Sequence, residues 1–449
     1  FRRKLLAASL IAAGASAAVP ALAQSSAGAV GLEEIVVTAR RRDETLQDVP
    51  LTVNAVTSEQ LDQLNIRKLE ELQGVVPGLT LQEDSIAANA SVRGVRFDTF
   101  ASGNNPTVEF YLNDAPISSL SVMQAMFDVG QVEVLRGPQG TLRGRASPSG
   151  SITITTQRPV LDELGGYVDV TATDINGQNV RGALNVPIIQ DILAVRVAGF
   201  WEQNDGNLVE SAYTGDFSEY EGQGYRFSVG YQPTEDLAVN LMYQKVEPDR
   251  VTYFPVESAS SADSSHQLRN PSGHIFIEDE DRKAVSDLPE SADTTLDRLN
   301  FDISWDIGDH QLNYVYSRSK EDLDRLTPFE IDVTNAVYDG YASPVFPYAQ
   351  ATAWQGLQQH LTTKTDNHSH EIRLQSVEPM FDMVDYVVGY FTNENQPDIG
   401  LTNPTQLAFF TPTGFPAPNN YYGPVAYAAT HTPITIPSKN NETSVFANL

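Results

Sequence analysis

The sequence predicts two structural units in tandem: a small mixed α+β domain, then an antiparallel transmembrane β-barrel that stays incomplete within the chain. Three observations predict it. Export signals open the chain, its charge is unevenly divided, and its second part alternates apolar and polar residues in runs joined by short and long connections in turn. Residues 24–159 hold 11 Lys and Arg against 16 Asp and Glu (net −5), and residues 160–449 hold 15 against 42 (net −27). Two regions so differently charged are expected to be different units.

The 449 residues include no Cys, which excludes disulfides, thiolate metal sites and a cysteine nucleophile. A formal net charge of −29 argues against a nucleic-acid partner, because phosphate contacts need clustered cations. Arg2, Arg3 and Lys4 precede an apolar run from Leu5 to Val19, then Pro20 and the small-x-small pattern Ala21-Leu22-Ala23. Residues 1–23 therefore read as a signal peptide. A membrane anchor would need more residues to cross ~30 Å of hydrocarbon. No later stretch reaches 18 uninterrupted apolar residues, so the mature chain is periplasmic, secreted or inserted as a barrel. The chain opens on Phe1 rather than Met, so its reading frame is expected to start upstream.

Residues 24–42 form a leader. Within it, Glu33-Glu34-Ile35-Val36-Val37-Thr38-Ala39 is a short β-prone run followed by Arg40-Arg41-Arg42. Such a run suits recognition by strand addition; the plainer alternative is the first strand of the next domain. Residues 43–159 are that domain. Thr57 and Gln60 form a capping box that opens a short helix, and Lys68 to Leu72 suggests a second helical turn before Pro77-Gly78. Short strands are expected at Leu79–Gln82, Ser91–Val95, Thr107–Leu112, Gln131–Leu135 and Ser151–Thr155, punctuated by Gly, Pro and Asn113-Asp114.

From Gly165 onward, runs of about ten residues alternate. Tyr225, Phe227, Val229 and Tyr231 interleave with Arg226, Ser228 and Gly230, and Leu299, Phe301, Ile303 and Trp305 with Asn300, Asp302 and Ser304. A soluble sandwich shows the same period, but connection lengths favour a barrel. Pro233–Asp236, Gly308-Asp309 and Glu378–Met383 are short, whereas 248–294, 325–363 and 395–437 are long and polar. Tyr231, Tyr243, Trp305 and Tyr390 are expected at the membrane interfaces. About ten strands are expected, the last from Ser444 to Leu449, where the alternation stops. Plugged transporters have about 22 strands, and an open edge is not tolerated in lipid. The barrel is thus expected to be part of a longer one.

Between residues 33 and 159 the chain resembles the TonB-dependent outer-membrane receptors. EEIVVTARRR is similar to their TonB box with its basic flank. QGVVPGLTLQ, SVRGVRF, VEFYLNDAPI and VEVLRGPQGTLRGRASPSGSITITTQRP follow in the order and spacing of their plug domain, LRGPQGTL being the most discriminating block. Asn113-Asp114 stands where Asp-Gly is usual, Arg143 replaces an aromatic, and Ser147-Pro148-Ser149 replaces a softer turn.

The resemblance implies energy-coupled import of a scarce nutrient, a ferric siderophore by default, through a monomeric barrel in the outer membrane of a Gram-negative bacterium, the plug facing the periplasm. TonB, energised by ExbB and ExbD, would add a strand to Glu33–Ala39. The few residues between Gln24 and Glu33 leave no room for a signalling domain, so a transporter is expected. Arg93 and Arg136, each before a Gly, would face the wall and pair with a lumen glutamate such as Glu371, which shares the inward phase with Arg373 and Gln375. Ligand would touch the plug apex at Glu83, Asn89, Phe97 and Asn104. A passive porin or surface adhesin could use the same strands but needs neither box nor plug, and a soluble periplasmic module would not need outward aromatics.

Other candidates have plainer readings. His368 and His370 could hold haem iron or a metal, yet no third ligand is evident and rim histidines are the simpler account. Glu278-Asp279-Glu280-Asp281 could bind Ca²⁺ or bridge lipopolysaccharide, or be a solvated loop. No resident cofactor or metal is expected. No G-x-S-x-G, P-loop, H-E-x-x-H or dinucleotide fingerprint occurs, so catalysis is not expected.

Overall fold

The computed structural model describes residues 36–37, 44–45, 47, 52–84, 87–95, 106–138, 144–145, 147–211, 214–254, 268–269, 282–284, 288–328, 337–338, 358–377, 384–410 and 425–448. The expected signal peptide and the acidic run 278–281 lie outside them. A two-residue strand β1 (Val36–Val37) pairs antiparallel with β2 (Glu44–Thr45). The domain proper begins with β3 (Val53–Thr57) and the helix Ser58–Gln63. Thr57 caps it: its side chain accepts from the Gln60 amide while the Gln60 side chain accepts from the Thr57 amide. A 3₁₀ turn Leu69–Gly74 follows where the sequence suggested a helical turn.

Next come β4 (Leu79–Asp84), β5 (Ala87–Val92), β6 (Val108–Leu112), β7 (Ala115–Ile117), the helix Ser119–Val122, β8 (Val129–Arg136) and β9 (Gly150–Thr156). β4 and β5 form a hairpin, and the other five form one sheet in the order β3-β8-β9-β6-β7. β5 ends at Val92 rather than Val95, because Arg93 (φ 55°) and Gly94 (φ 78°) turn into the left-handed region. Leu69, Leu72, Val108, Leu112, Val132, Val134, Ile152 and Ile154 fill the core with essentially no exposure. Each such side chain contributes about 1.5–3 kcal/mol.

The second unit is an 11-stranded antiparallel sheet. It runs through β10 (Gly165–Ala172), β11 (Gln178–Ile189), β12 (Leu193–Asn204), β14 (Glu219–Thr234), β15 (Leu237–Thr252), β18 (Glu290–Ile307), β19 (His310–Pro328), β21 (Gln358–Ser376), β22 (Val387–Phe410), β23 (Val425–Pro437) and β24 (Asn440–Asn448). The numbers skipped are two-residue pairings in connections: β13 (Glu210–Ser211) with β17 (Lys283–Ala284), and β16 (Leu268–Arg269) with β20 (Val337–Tyr338).

β23 and β24 lie end to end on the same edge of β22, Asp398 opposite Pro437 and Asn395 opposite Asn440 in one continuous register. The break falls opposite Pro397, which has no N–H to donate; its carbonyl still accepts from Ser438 at 2.9 Å. The 11 strands therefore occupy ten positions, and β10 and β23–β24 are the open edges among the described residues.

The wall strands are longer than expected. β14, β15, β18, β19, β21 and β22 run 16 to 24 residues, and the segment 395–437, read as a loop, holds the upper part of β22 and all of β23. A strand crosses a bilayer in about 9–11 residues, so polar residues at the ends of longer strands extend the wall past it and read as loop in sequence. The faces are clear: Phe227, Tyr231, Leu241, Trp305 and Tyr390 are exposed outward, and Arg226, Ser228, Gln244, Arg298 and Asn300 are buried inward against the plug.

Candidate functional site: the coupling strand and the plug–wall interface

Of the expected coupling run, only Val36 and Val37 are described; Glu33, Glu34, Ile35, Thr38 and Ala39 lie outside the described residues. Val37 is fully buried, and the Val36 carbonyl accepts from Gln131 Nε2 on β8 at 3.0 Å. The strand thus rests on the plug by one buried side chain and one side-chain hydrogen bond.

The expected apex residues divide. Glu83 lies on β4, and Asn89 lies opposite Gln82 on β5, buried rather than presented to solvent. Phe97 and Asn104 lie outside the described residues.

The pairing expected between the plug arginines and Glu371 is replaced by other contacts. Arg93 is exposed in its turn. Arg136 donates from Nη2 to Asn54 Oδ1 at 2.6 Å, tying β8 to β3 inside the plug. Glu371 does face inward, buried, but accepts from Arg373 Nη1 at 2.8 Å, and Arg373 Nη2 reaches Asp114 of the plug at 3.2 Å. The physical reason lies in reach: β8 is covered by β3 and β9, so its terminal arginine meets its own sheet first.

The interface is built mostly from wall arginines that donate to the plug. Arg226, fully buried, donates from Nη1 to the carbonyls of Phe127 (2.8 Å) and Asp128 (3.2 Å) and from Nη2 to Gln244 (2.7 Å). Its guanidinium lies 4.2 Å from the centre of the Phe127 ring. Arg298 donates to the carbonyls of Ala115 and Pro116, and Asn300 to that of Leu112. Arg196 grips the Asp128 carboxylate in two hydrogen bonds of 2.8 and 2.5 Å. Glu321 accepts from the hydroxyls of Ser118 and Ser121 at 2.5 Å each, holding the start of the helix Ser119–Val122.

One contact has the expected polarity but uses another arginine. Plug Arg145 bridges buried Glu109 of β6 at 3.0 Å and wall Glu442 of β24 at 2.9 Å. Burial pushes the Glu109 carboxyl above its usual range, with Arg145 pulling the other way. Beside it, Gly144 (φ 67°) packs so closely that a Cβ would come within 3.2 Å of Phe391 and 3.3 Å of Phe446.

Sequence reasoning overlooked Asp114, Asp128, Arg196, Arg226, Arg298 and Glu321. The signals were a cation or carboxylate on the inward phase of a strand, and the Asn113-Asp114 turn, whose residues are both left-handed (φ 48° and 68°) as a two-residue hairpin requires. His368 and His370 are partnered on the outward face: His368 with Asp366 at 3.2 Å, His370 with the Tyr314 hydroxyl at 2.9 Å. Among the described residues no group of three or more His, Asp or Glu is placed to hold a metal ion.

Residues 45–151 match the family model of the TonB-dependent Receptor Plug Domain. The chain is 30% identical over 217 residues to the pesticin receptor of Yersinia pestis, covering 47% of this chain and 31% of that protein. It is 27% identical over 152 residues to the ferripyoverdine receptor of Pseudomonas aeruginosa, covering 34% and 18%. In fold it is similar to the ferric yersiniabactin uptake receptor of Yersinia pestis, with a TM-score of 0.64 at 16% identity over 88% of this chain and 61% of that one. The ferripyoverdine receptor of Pseudomonas aeruginosa bound to ferripyoverdine gives 0.62 at 13% identity over 92% and 51%. The chain thus spans about a third of the first curated relative it matches and under two thirds of these solved receptors.

Proposed function

We propose that this chain, a TonB-dependent receptor by its plug domain and the sheet around it, takes up a ferric siderophore across the outer membrane of a Gram-negative bacterium. The ferripyoverdine receptor it resembles supports the ligand class. The single observation that carries the reading is that a β-strand ready for pairing is attached to a plug held in the wall chiefly by polar contacts.

Ligand binds at the end of the sheet that carries the long connections and loosens Val36–Val37 from Gln131. TonB, driven by ExbB and ExbD, then adds a strand to residues 33–39 and pulls. Hydrogen bonds suit this task, because water replaces them as they break, whereas a dry apolar interface would resist. The barrel works as a monomer in lipid, with the plug toward the periplasm.

The test is uptake of ⁵⁵Fe-loaded siderophore by iron-starved cells. Val37→Pro removes a ladder donor and fixes φ, so uptake is lost while ligand binding to cells persists. Normal uptake by that variant would sink the coupling role. Uptake of cobalamin or an oligosaccharide in place of every ferric chelate tried would reassign the ligand.

A further inference from the structure

At the end of the wall away from the short turns after β11 and β14, two connections share a small core of their own. Val209 (2% exposed), Tyr253 (4%) and Ala284 (0%) pack together with Val251, and Ser211 and Ser218 are buried beside them. Val209, Ser211 and Ser218 belong to the connection after β12, and Tyr253 and Ala284 to the one after β15. Apolar burial of this kind belongs to a folded unit, whereas a connection that merely spans two strands leaves its side chains in water.

Hydrogen bonds clip the two connections together around that core. β13 and β17 pair in parallel, Glu210 opposite Lys283 and Ser211 opposite Ala284, and the Glu210 amide donates to the Arg282 carbonyl at 3.0 Å. Ser211 and Ala284 are buried while Glu210 and Lys283 are half-buried, as the two-residue period of a strand requires. Asn207 joins both sides. Its carbonyl accepts from Arg282 Nη1 at 3.0 Å, its side-chain amide donates to the Tyr253 carbonyl at 2.9 Å, and its Oδ1 accepts from the Val209 amide at 3.1 Å. The Tyr253 amide donates to Ser218 Oγ at 2.9 Å, and the Ser218 amide to the Val209 carbonyl at 2.9 Å. The Asp205 amide donates to the Ile175 carbonyl at 3.1 Å, which adds the connection after β10. Leu208 stands at φ 61°, a left-handed conformation that a leucine keeps where its surroundings over-determine it.

We propose that the joined segments of these two connections form one rigid body at the extracellular rim, and that this body stays closed as the receptor works. Each connection is then held by the other: the core residues of one have no apolar surroundings without those of its neighbour. A surface ordered in advance also spares the binding step the entropy of ordering it. That the body stays closed during transport rests on the import reading; its existence does not.

The experiment uses the absence of Cys from the chain, which lets introduced thiols report cleanly. Glu210→Cys with Lys283→Cys puts thiols on paired residues of strands about 4.7–4.9 Å apart, within the Cα span of about 4.4–6.8 Å that a disulfide bridges. Copper–phenanthroline on whole cells is expected to close the bond nearly completely, read as loss of free thiol. Uptake of ⁵⁵Fe-loaded pyoverdine should then match that of the same cells after dithiothreitol. In a second variant, Tyr253→Ala removes the largest ring from the shared core. Cleavage by V8 protease after Glu210 and by trypsin after Arg282 and Lys283 should then both quicken about tenfold or more, because local opening exposes both connections at once. Heat-modifiable migration on a gel confirms that each variant keeps its wall. Thiols that stay free, uptake lost on closing the bond and regained on reduction, or faster cutting in one connection or neither overturns the assignment. Should wild-type cells take up no ferric chelate, the import reading falls alone, and the thiol and protease results still decide whether the body exists.

Discussion

In the plug, apolar side chains point inward and meet one another, with Leu69, Val108, Val132 and Ile152 wholly buried. In the wall they point outward, and the buried face carries Arg226, Gln244, Arg298 and Asn300 instead. The plug is thus a soluble domain set inside a sheet of inverted polarity. Where the two touch, apolar contact is confined to spots such as Phe127 among Ala183, Ala198, Val246 and Leu296. Most of the hold comes from arginines reaching plug carbonyls. The difference teaches how a domain can keep a core almost wholly its own, with Met242 of β15 as the wall's contribution to that cluster, while its attachment consists largely of bonds that water can replace.

The comparison breaks most visibly if Arg226 is removed. Arg226→Ala strands the Phe127 and Asp128 carbonyls and Gln244 in a buried site, at a cost of roughly 3–5 kcal/mol by analogy with a broken buried pair. Antibiotic entry in cells lacking TonB should rise sharply, while Arg226→Lys should rise less. Unchanged entry in Arg226→Ala would show that the wall arginines do not hold the plug.

A smaller effect is expected at the bridge with the opposite polarity. Arg145→Ala loses charged hydrogen bonds worth roughly 1.5–3 kcal/mol, softened because Glu109 can take up a proton. Pairing it with Glu442→Gln should cost less than the sum of the single changes in thermal unfolding of the receptor, since Arg145 is their shared contact. Strict additivity would remove Glu442 as a partner.

Glu109 also gives a pH dependence whose sign follows from burial. Its carboxyl is raised in the folded state, so the native plug binds this proton more readily than the unfolded chain. The contribution of Glu109 to stability therefore falls as pH rises from about 4.3, the unfolded value, through the folded one. Glu109→Gln should flatten that slope in melts between pH 4 and 7. The same slope in both proteins would assign it to other groups.

Two changes inside the plug sharpen the contrast because they spare the wall. Arg136→Ala should cost roughly 1–3 kcal/mol through Asn54 and add to Glu371→Ala, with which it has no described partner in common. A large coupling between them would restore the direct lock. Thr57→Ala should remove about 1 kcal/mol of capping, read as a lower melting temperature with wall contacts and antibiotic entry unaltered.

The chain's own residues determined whatever is local. The capping box at Thr57 and Gln60, the turn at Asn113-Asp114, and the outward and inward phases of β14 and β18 all follow from spacing of two to four residues. Such spacing states which face a side chain is on, because strand and helix periods are set by the backbone. It does not state how high the plug sits in the wall, and that height chooses partners. Only the tertiary structure decided that Arg136 stays with Asn54, that Arg373 reaches Asp114, and that Arg226 and Arg298 reach plug carbonyls. A charged side chain takes the nearest group that can satisfy it once buried, and nearness across some 200 residues of chain is created by folding.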